Sequence, residues 1–135
     1  MTDLYFEDII GRYFNLNLKK DNYRIYVEEA GQGTPLLCLH TAGSDGRQFR
    51  HILNDKRITN NYRVIVFDLP WHGKSNPPEG YELKDYKLTT NLYKEIIMSF
   101  CKQYKLIDPV IMGCSMGGRV VLHLALEHCD YFKAV

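Results

Sequence analysis

Ser115 sits at the centre of Gly113-Cys114-Ser115-Met116-Gly117, a G-x-S-x-G pentapeptide whose residue types and spacing suit nucleophilic attack by a serine hydroxyl. An unaided hydroxyl is a poor nucleophile, so it must be held clear of its own strand, where a base and an electrophile can reach it. A sharp turn between strand and helix does this by forcing the serine backbone into strain. Small residues two positions either side let neighbouring backbone close around the turn. The flanks supply that setting: Pro109-Val110-Ile111-Met112 is an apolar run leading in, and a helix-like run from Gly118 to about His128 leads out. Such a helix aims free N–H groups and the positive end of its dipole at the place where an oxyanion would develop. The competing reading is an ordinary serine in a Gly-rich turn, and the flanking strand and helix favour the nucleophile.

Other segments must position that turn. Tyr13 to Leu18 and Tyr23 to Glu28 alternate apolar and polar residues around the turn-like Lys19-Lys20-Asp21-Asn22, which predicts an antiparallel hairpin with one buried face. Gly31-Gln32-Gly33-Thr34-Pro35 breaks the pattern. Leu36-Leu37-Cys38-Leu39-His40, Val64-Ile65-Val66-Phe67 and Val110-Ile111-Met112 are apolar at consecutive positions, as strands covered on both faces are. Helical patterns lie between them. Gln48 to Leu53 follows Ser44 and Asp45, either of which could cap it. Asn91 to Tyr104 carries Leu92, Ile96, Ile97, Phe100 and Tyr104 at helical spacing, and Val120, Val121, Leu124 and Ala125 form the inner face of the next helix. Phe132-Lys133-Ala134-Val135 reads as the opening of a further strand.

Strands alternating with helices predict an α/β fold: a doubly wound, mostly parallel sheet preceded by the antiparallel amino-terminal hairpin. Ligands in such sheets bind beyond the carboxyl ends of the strands. Three polar segments fall at such ends, namely His40 to Asp45, Asp68 to Ser75, and Ser115. Their convergence on one sheet edge says more than any of them alone.

Composition narrows the function classes. The 135 residues suit one domain, and 45% hydrophobic residues are enough for a core of ordinary density. With 17 basic against 16 acidic residues the net charge is +1, which offers no electrostatic footprint for nucleic acid or an anionic membrane. The acidic, aromatic start, Met1-Thr2-Asp3-Leu4-Tyr5-Phe6-Glu7-Asp8, is unlike a secretory leader. Cys38, Cys101, Cys114 and Cys129 lack metal-ligand or C-x-x-C spacing and read as buried free thiols of a cytoplasmic protein. No cofactor or metal is expected.

On three motifs, the chain from about Arg12 to Val135 resembles the amino-terminal half of an α/β-hydrolase. Gly113-Cys114-Ser115-Met116-Gly117-Gly118 resembles the nucleophile elbow of that family. Leu39-His40-Thr41-Ala42-Gly43-Ser44 stands where the family has its His-Gly loop, and Asp68-Leu69-Pro70-Trp71-His72-Gly73-Lys74-Ser75 is similar to its D-x-x-G-x-G-x-S loop. The resemblance implies Ser115 as nucleophile. It implies oxyanion donors at the backbone N–H of Met116 and of Ala42, with Thr41 as the alternative to Ala42. His40, Thr41, Gly43, Asp68, Trp71, Gly73, Gly113 and Gly117 would be the supporting loop residues.

The sequence also departs from the family pattern. Thr41 stands where a glycine is usual. Trp71 replaces the first glycine of the Asp68 loop, either as an aromatic wall of the pocket or as plain packing. Cys114 reads as a packing residue. In this family the acid and histidine follow the nucleophile on later loops, whereas only twenty residues follow Ser115 here. His123 and His128 lie along the helix leading away from Ser115, and His51 sits in a helical pattern. His40 and His72 match loop-holding positions, and Asp68 reads as a loop-fixing carboxylate.

Residues 1–135 are therefore expected to be the amino-terminal part of one incomplete α/β-hydrolase domain, ending within the strand after the nucleophile helix. Two functional readings follow. The first is a serine hydrolase, most simply of carboxylic esters, with C–C bond hydrolase, thioesterase and acyltransferase left open. Serine argues against the relatives that use aspartate, such as haloalkane dehalogenases and epoxide hydrolases. The second is a non-catalytic binding or interaction protein on the same scaffold. The expected partners are a small acyl substrate and, at an open sheet edge, the missing carboxyl-terminal half or another chain. An edge left open would make the isolated chain aggregation-prone or marginally folded.

Overall fold

The computed structural model describes residues 4–135; Met1-Thr2-Asp3 of the acidic start lies outside them. The hairpin forms from β1 (Ile10–Leu18) and β2 (Asp21–Ala30), antiparallel, with Leu16 opposite Tyr23 and Phe14 opposite Ile25. It runs longer than the strict alternation suggested, because Ile10 to Arg12 pair with Val27 to Glu29 although their side chains are exposed. The inner face is made by Leu16, Leu18, Tyr23, Ile25 and Val27, all buried.

The three apolar runs are β3 (Thr34–Leu39), β4 (Tyr62–Phe67) and β5 (Val110–Gly113). Together the strands form one five-stranded sheet in the order β1-β2-β4-β3-β5. β3 is parallel to both β4 and β5, and β2 joins β4 antiparallel. The tail starts a further parallel pairing: Lys133 N–H donates to the Pro109 carbonyl (2.9 Å) and Ile111 N–H to that of Ala134 (3.0 Å).

Both faces of the central strands are covered, which explains their unbroken apolar runs. Leu37, Leu39, Ile65, Phe67 and Ile111 point to one side, against α3 (Thr90–Gln103) and α4 (Met116–Glu127). Leu36, Cys38, Val64 and Val66 point to the other, against Phe49 of a 3₁₀ turn (Gly46–Phe49) and Leu53 of α1 (Arg50–Leu53), with α2 (Lys56–Thr59) following. The doubly wound arrangement thus holds, although the first helical stretch is broken into short pieces. Asp45, rather than Ser44, caps it, its carboxylate accepting from Arg47 N–H at 3.0 Å. Thr89 caps α3 by accepting from Leu92 N–H at 3.1 Å. On α4, Val120, Val121 and Leu124 are buried and Ala125 is half-buried, while Leu122 and Leu126 are 66% and 84% exposed. Met112 of β5, which lies at the end of the strand order, is also exposed.

Phe100 ties the larger core together. It stacks on Phe67 (ring centroids 4.5 Å apart) and Tyr104 (4.9 Å) and meets Phe14 edge-on (5.7 Å), joining β1, β4 and α3. Truncating a fully buried phenylalanine costs about 3–5 kcal/mol, a large part of the about 5–15 kcal/mol that holds a typical domain folded. Phe100→Ala is expected to shift or abolish the cooperative urea transition accordingly. A loss below about 1 kcal/mol would show that the core does not depend on this ring.

Candidate functional site

β5 ends at Gly113 and α4 begins at Met116, leaving Cys114 and Ser115 to turn the chain. Ser115 has φ 52° and ψ −110°, a left-handed conformation that costs a side-chain-bearing residue on the order of 1–3 kcal/mol. The turn is held by three backbone hydrogen bonds: Gly117 N–H to Cys114 O (2.9 Å), Arg119 N–H to Ser115 O (2.8 Å), and Cys114 N–H to Leu39 O (3.1 Å). The glycines are required by proximity. A Cβ at Gly113 would strike the Gly117 carbonyl and lie 2.7 Å from Gly118 N, and one at Gly117 would strike the Leu39 carbonyl. The start of α4 is thereby pressed against the ends of both β5 and β3.

Ser115 occupies the N-cap position of α4, yet its side chain makes no capping hydrogen bond. It is exposed, and among the described residues its hydroxyl has no hydrogen-bond partner. Met116 is the first residue of α4, so its N–H lacks an acceptor within the helix.

The loop after β3 begins with His40, whose ring is fully buried. Its Nε2 accepts from Leu69 N–H (3.1 Å), which leaves Nδ1 protonated and donating to the Thr41 carbonyl (2.8 Å). Burial first, and then the neighbouring His72, push the His40 pKa below its ordinary value, against the Thr41 hydrogen bond and the charges of Asp68 and Asp45. Thr41 N–H donates to Gln48 Oε1 at 2.9 Å. Ala42 and Gly43 are exposed, Gly43 with φ 65°, and among the described residues the Ala42 N–H donates to no protein group.

The loop after β4 is organised by the buried carboxylate of Asp68. It accepts from Gly46 N–H (2.7 Å) and Lys74 N–H (2.8 Å), and Gly73, at φ 51°, packs directly on it. Ser75 Oγ donates to the Asp68 carbonyl (2.6 Å) and accepts from Tyr26 N–H (2.8 Å), fastening the loop to β2. Ser75 closes the loop motif read from the sequence, but its bridging role to β2 was not anticipated; Gln48 was read only as the start of a helical pattern, and the cap at Asp45 was the one signal that a turn stood there. Trp71 has φ 69°, the backbone that favours the glycine it replaces, and is 42% exposed. It packs edge-on against Tyr81 (5.0 Å) and also meets Tyr86 (5.4 Å), so aromatic packing and an exposed wall coexist.

Two expectations need correcting. Cys114 is not a packing residue: the sharp turn throws its side chain outward and it is exposed. Nor are the thiols uniformly buried, since Cys129 is exposed as well. Burial pushes the Cys38 and Cys101 thiols up to about 12, which keeps them protonated and inert. Among the described residues no histidine or carboxylate hydrogen-bonds Ser115. His40 and His72 hold their loops, with His72 Nδ1 2.9 Å from the Pro70 carbonyl, and His51, His123 and His128 lie on or at the ends of helices. No group of three or more metal-ligating side chains occurs among the described residues.

A strand, a left-handed serine turn and a helix, flanked by two loops from neighbouring strand ends, define the class. The chain belongs to the α/β hydrolase fold family, whose model matches residues 34–135. It is similar to a pimeloyl-[acyl-carrier protein] methyl ester esterase of Vibrio vulnificus (28% identical over 107 residues, 79% of this chain and 37% of the relative). It is also similar to the magnesium-chelatase 30 kDa subunit of Rhodobacter capsulatus (33% over 95 residues, 70% of this chain and 31% of the relative). An epoxide hydrolase of Vigna radiata superposes with TM-score 0.78 at 21% identity, over 94% of this chain and 38% of that structure, a likeness of fold. The chain thus spans between 31% and 38% of the length of these relatives. No helix among the described residues is long and apolar enough to cross a membrane.

His40 makes the fold sensitive to acid. The unfolded chain binds a proton there at the ordinary value of 6.5, whereas the folded chain resists it. Between the two values the unfolded state carries more protons, so stability is complete above 6.5 and is lost as pH falls below it. Melts recorded over this range are expected to show that decline, and the His40 ring signals in NMR should titrate below 6.5. Titration at or above that value would contradict the buried neutral ring.

Proposed function

We propose that this chain carries the nucleophile and oxyanion-binding part of a serine hydrolase, most simply one acting on carboxylic esters. The single observation behind the reading is Ser115: left-handed, exposed, and free of the capping hydrogen bond that its position would normally provide. Backbone strain retained where it leaves a hydroxyl unpartnered at a strand-to-helix turn fits a nucleophile.

In this reading Ser115 Oγ attacks the ester carbonyl carbon as its proton passes to a base. The N–H groups of Met116 and Ala42 hold the resulting oxyanion. Ala42 is preferred over Thr41 because the Thr41 N–H is already given to Gln48. Collapse of the tetrahedral species releases the alcohol, which takes up the proton, and leaves Ser115 acylated. Water then cleaves the acyl-enzyme to the free acid by the same steps in reverse order. Two preorganised donors matter here, since losing one such donor typically costs on the order of 10²–10³ in rate.

The base and its orienting acid are assigned to residues outside these 135, brought in by a carboxyl-terminal segment or another chain at the β5 end of the sheet. Exposed Met112 of that strand, exposed Leu122 and Leu126 of α4, and the pairing begun by Ala134 suit an added strand and its covering helices. The methyl ester esterase among the relatives supports the ester reading. The magnesium-chelatase subunit is named for membership of an assembly, which supports a second reading, an interaction protein on this scaffold.

A fluorophosphonate probe separates the two. Ser115 is expected to be labelled once the complementing segment is supplied, weakly or not at all in the 135-residue chain alone, and never in Ser115→Ala. Absence of labelling in both the chain and the complemented form would remove the hydrolase reading.

A further inference from the structure

The Ala42 N–H belongs to the same peptide unit as the Thr41 carbonyl, and in a trans peptide the two point in opposite directions. The Thr41 carbonyl is held from below by the buried His40 ring, through Nδ1 at 2.8 Å. That nitrogen carries the proton because Nε2 is committed to Leu69 N–H. The Ala42 N–H is therefore turned away from the core, toward the exposed side of the loop. One hydrogen bond fixes the tilt of a peptide plane poorly, because the plane still swings about that contact. A second restraint on Thr41 is needed, and Gln48 supplies it by accepting Thr41 N–H at 2.9 Å.

Gln48 is itself well placed to act as a post. It lies on the 3₁₀ turn Gly46–Phe49, whose first residue donates to Asp68 Oδ1 at 2.7 Å. Its own N–H donates to the Asp45 carbonyl (3.1 Å), and Asp45 accepts from Arg47 both at N–H (3.0 Å) and through the guanidinium. The Asp45 carboxylate is held down to about 2, chiefly by that side-chain hydrogen bond, so it stays charged at neutral pH. The Asp68 loop thus anchors both restraints, His40 through Leu69 and Gln48 through Gly46.

We propose that Gln48 is a positioning residue: together with His40 it clamps Thr41 from both sides and so aims the Ala42 N–H as an oxyanion donor. The role rests on the serine hydrolase reading, but the clamp can be measured apart from it. Gln48→Met keeps the length of the side chain and removes the acceptor, while Gln48→Glu keeps an acceptor oxygen.

In the ¹⁵N-labelled 135-residue chain, Q48M is expected to lose hydrogen-exchange protection at the Thr41 amide and to lower the order parameter of the Ala42 amide, with the melting midpoint unchanged. Q48E should restore both amides. In the complemented protein Q48M should slow fluorophosphonate labelling of Ser115 by roughly tenfold, less than outright loss of an oxyanion donor would. If the Ala42 amide in Q48M is as ordered as in the parent chain, the proposal is wrong whatever Ser115 does. If Ser115 stays unlabelled in every form while Q48M still loosens Ala42, the clamp stands and the hydrolase reading falls. A purely structural role would show as a lower melting midpoint in Q48M with the folded-state Ala42 amide unaltered, and would also overturn it.

Discussion

Three backbones meet at the start of α4 with no room for a side chain between them. Gly113 faces the Gly117 carbonyl and Gly117 faces the Leu39 carbonyl, each closer than any Cβ would allow. This contact draws the helix onto the ends of β5 and β3, and it makes Ser115 absorb the change of direction within one residue at φ 52°. Removing the close approach would let the turn widen. Ser115 could then relax into an ordinary cap whose hydroxyl bonds the helix rather than facing outward.

The two neighbouring loops are built by the same economy of backbone partners. Asp68 has one carboxylate oxygen on Gly46 and the other on Lys74, both through N–H groups, so it spans its own loop and the turn after β3. His40 works in the opposite direction, from β3 to Leu69 of the β4 loop. Both are buried, and a buried polar group left without partners is costly, so each loop conformation depends on the other. That reciprocity holds both loops in place with Thr41 and Trp71 at positions where glycine would be easier, Trp71 at φ 69°.

Much of the fold was legible because both faces of β3 and β4 are buried, which writes an unbroken apolar run into the sequence. The hairpin and α3 were legible by periodicity. The first helical segment, Gln48 to Leu53 with its cap at Asp45, was legible too, but not its division into a 3₁₀ turn and a short α-helix, nor the tie of Gly46 to Asp68, a contact between residues 22 positions apart. The exposure of Cys114 was missed for a related reason. Its place in the elbow motif was read as packing, while the direction of that side chain depends on the backbone of a turn held against Leu39.

By itself, the sequence determined the order of strands and helices, the family, and the candidate nucleophile, because periodicity and a short motif are local properties. The tertiary structure decided which hydrogen-bonding groups remain free. Thr41 N–H is taken and Ala42 N–H is not, and the Ser115 hydroxyl is left unpartnered where a cap would be expected. Those outcomes turn on partners such as Gln48 and Leu69, and on the direction of individual peptide planes, which are fixed when separate loops close on one another and leave no mark in the spacing of residues.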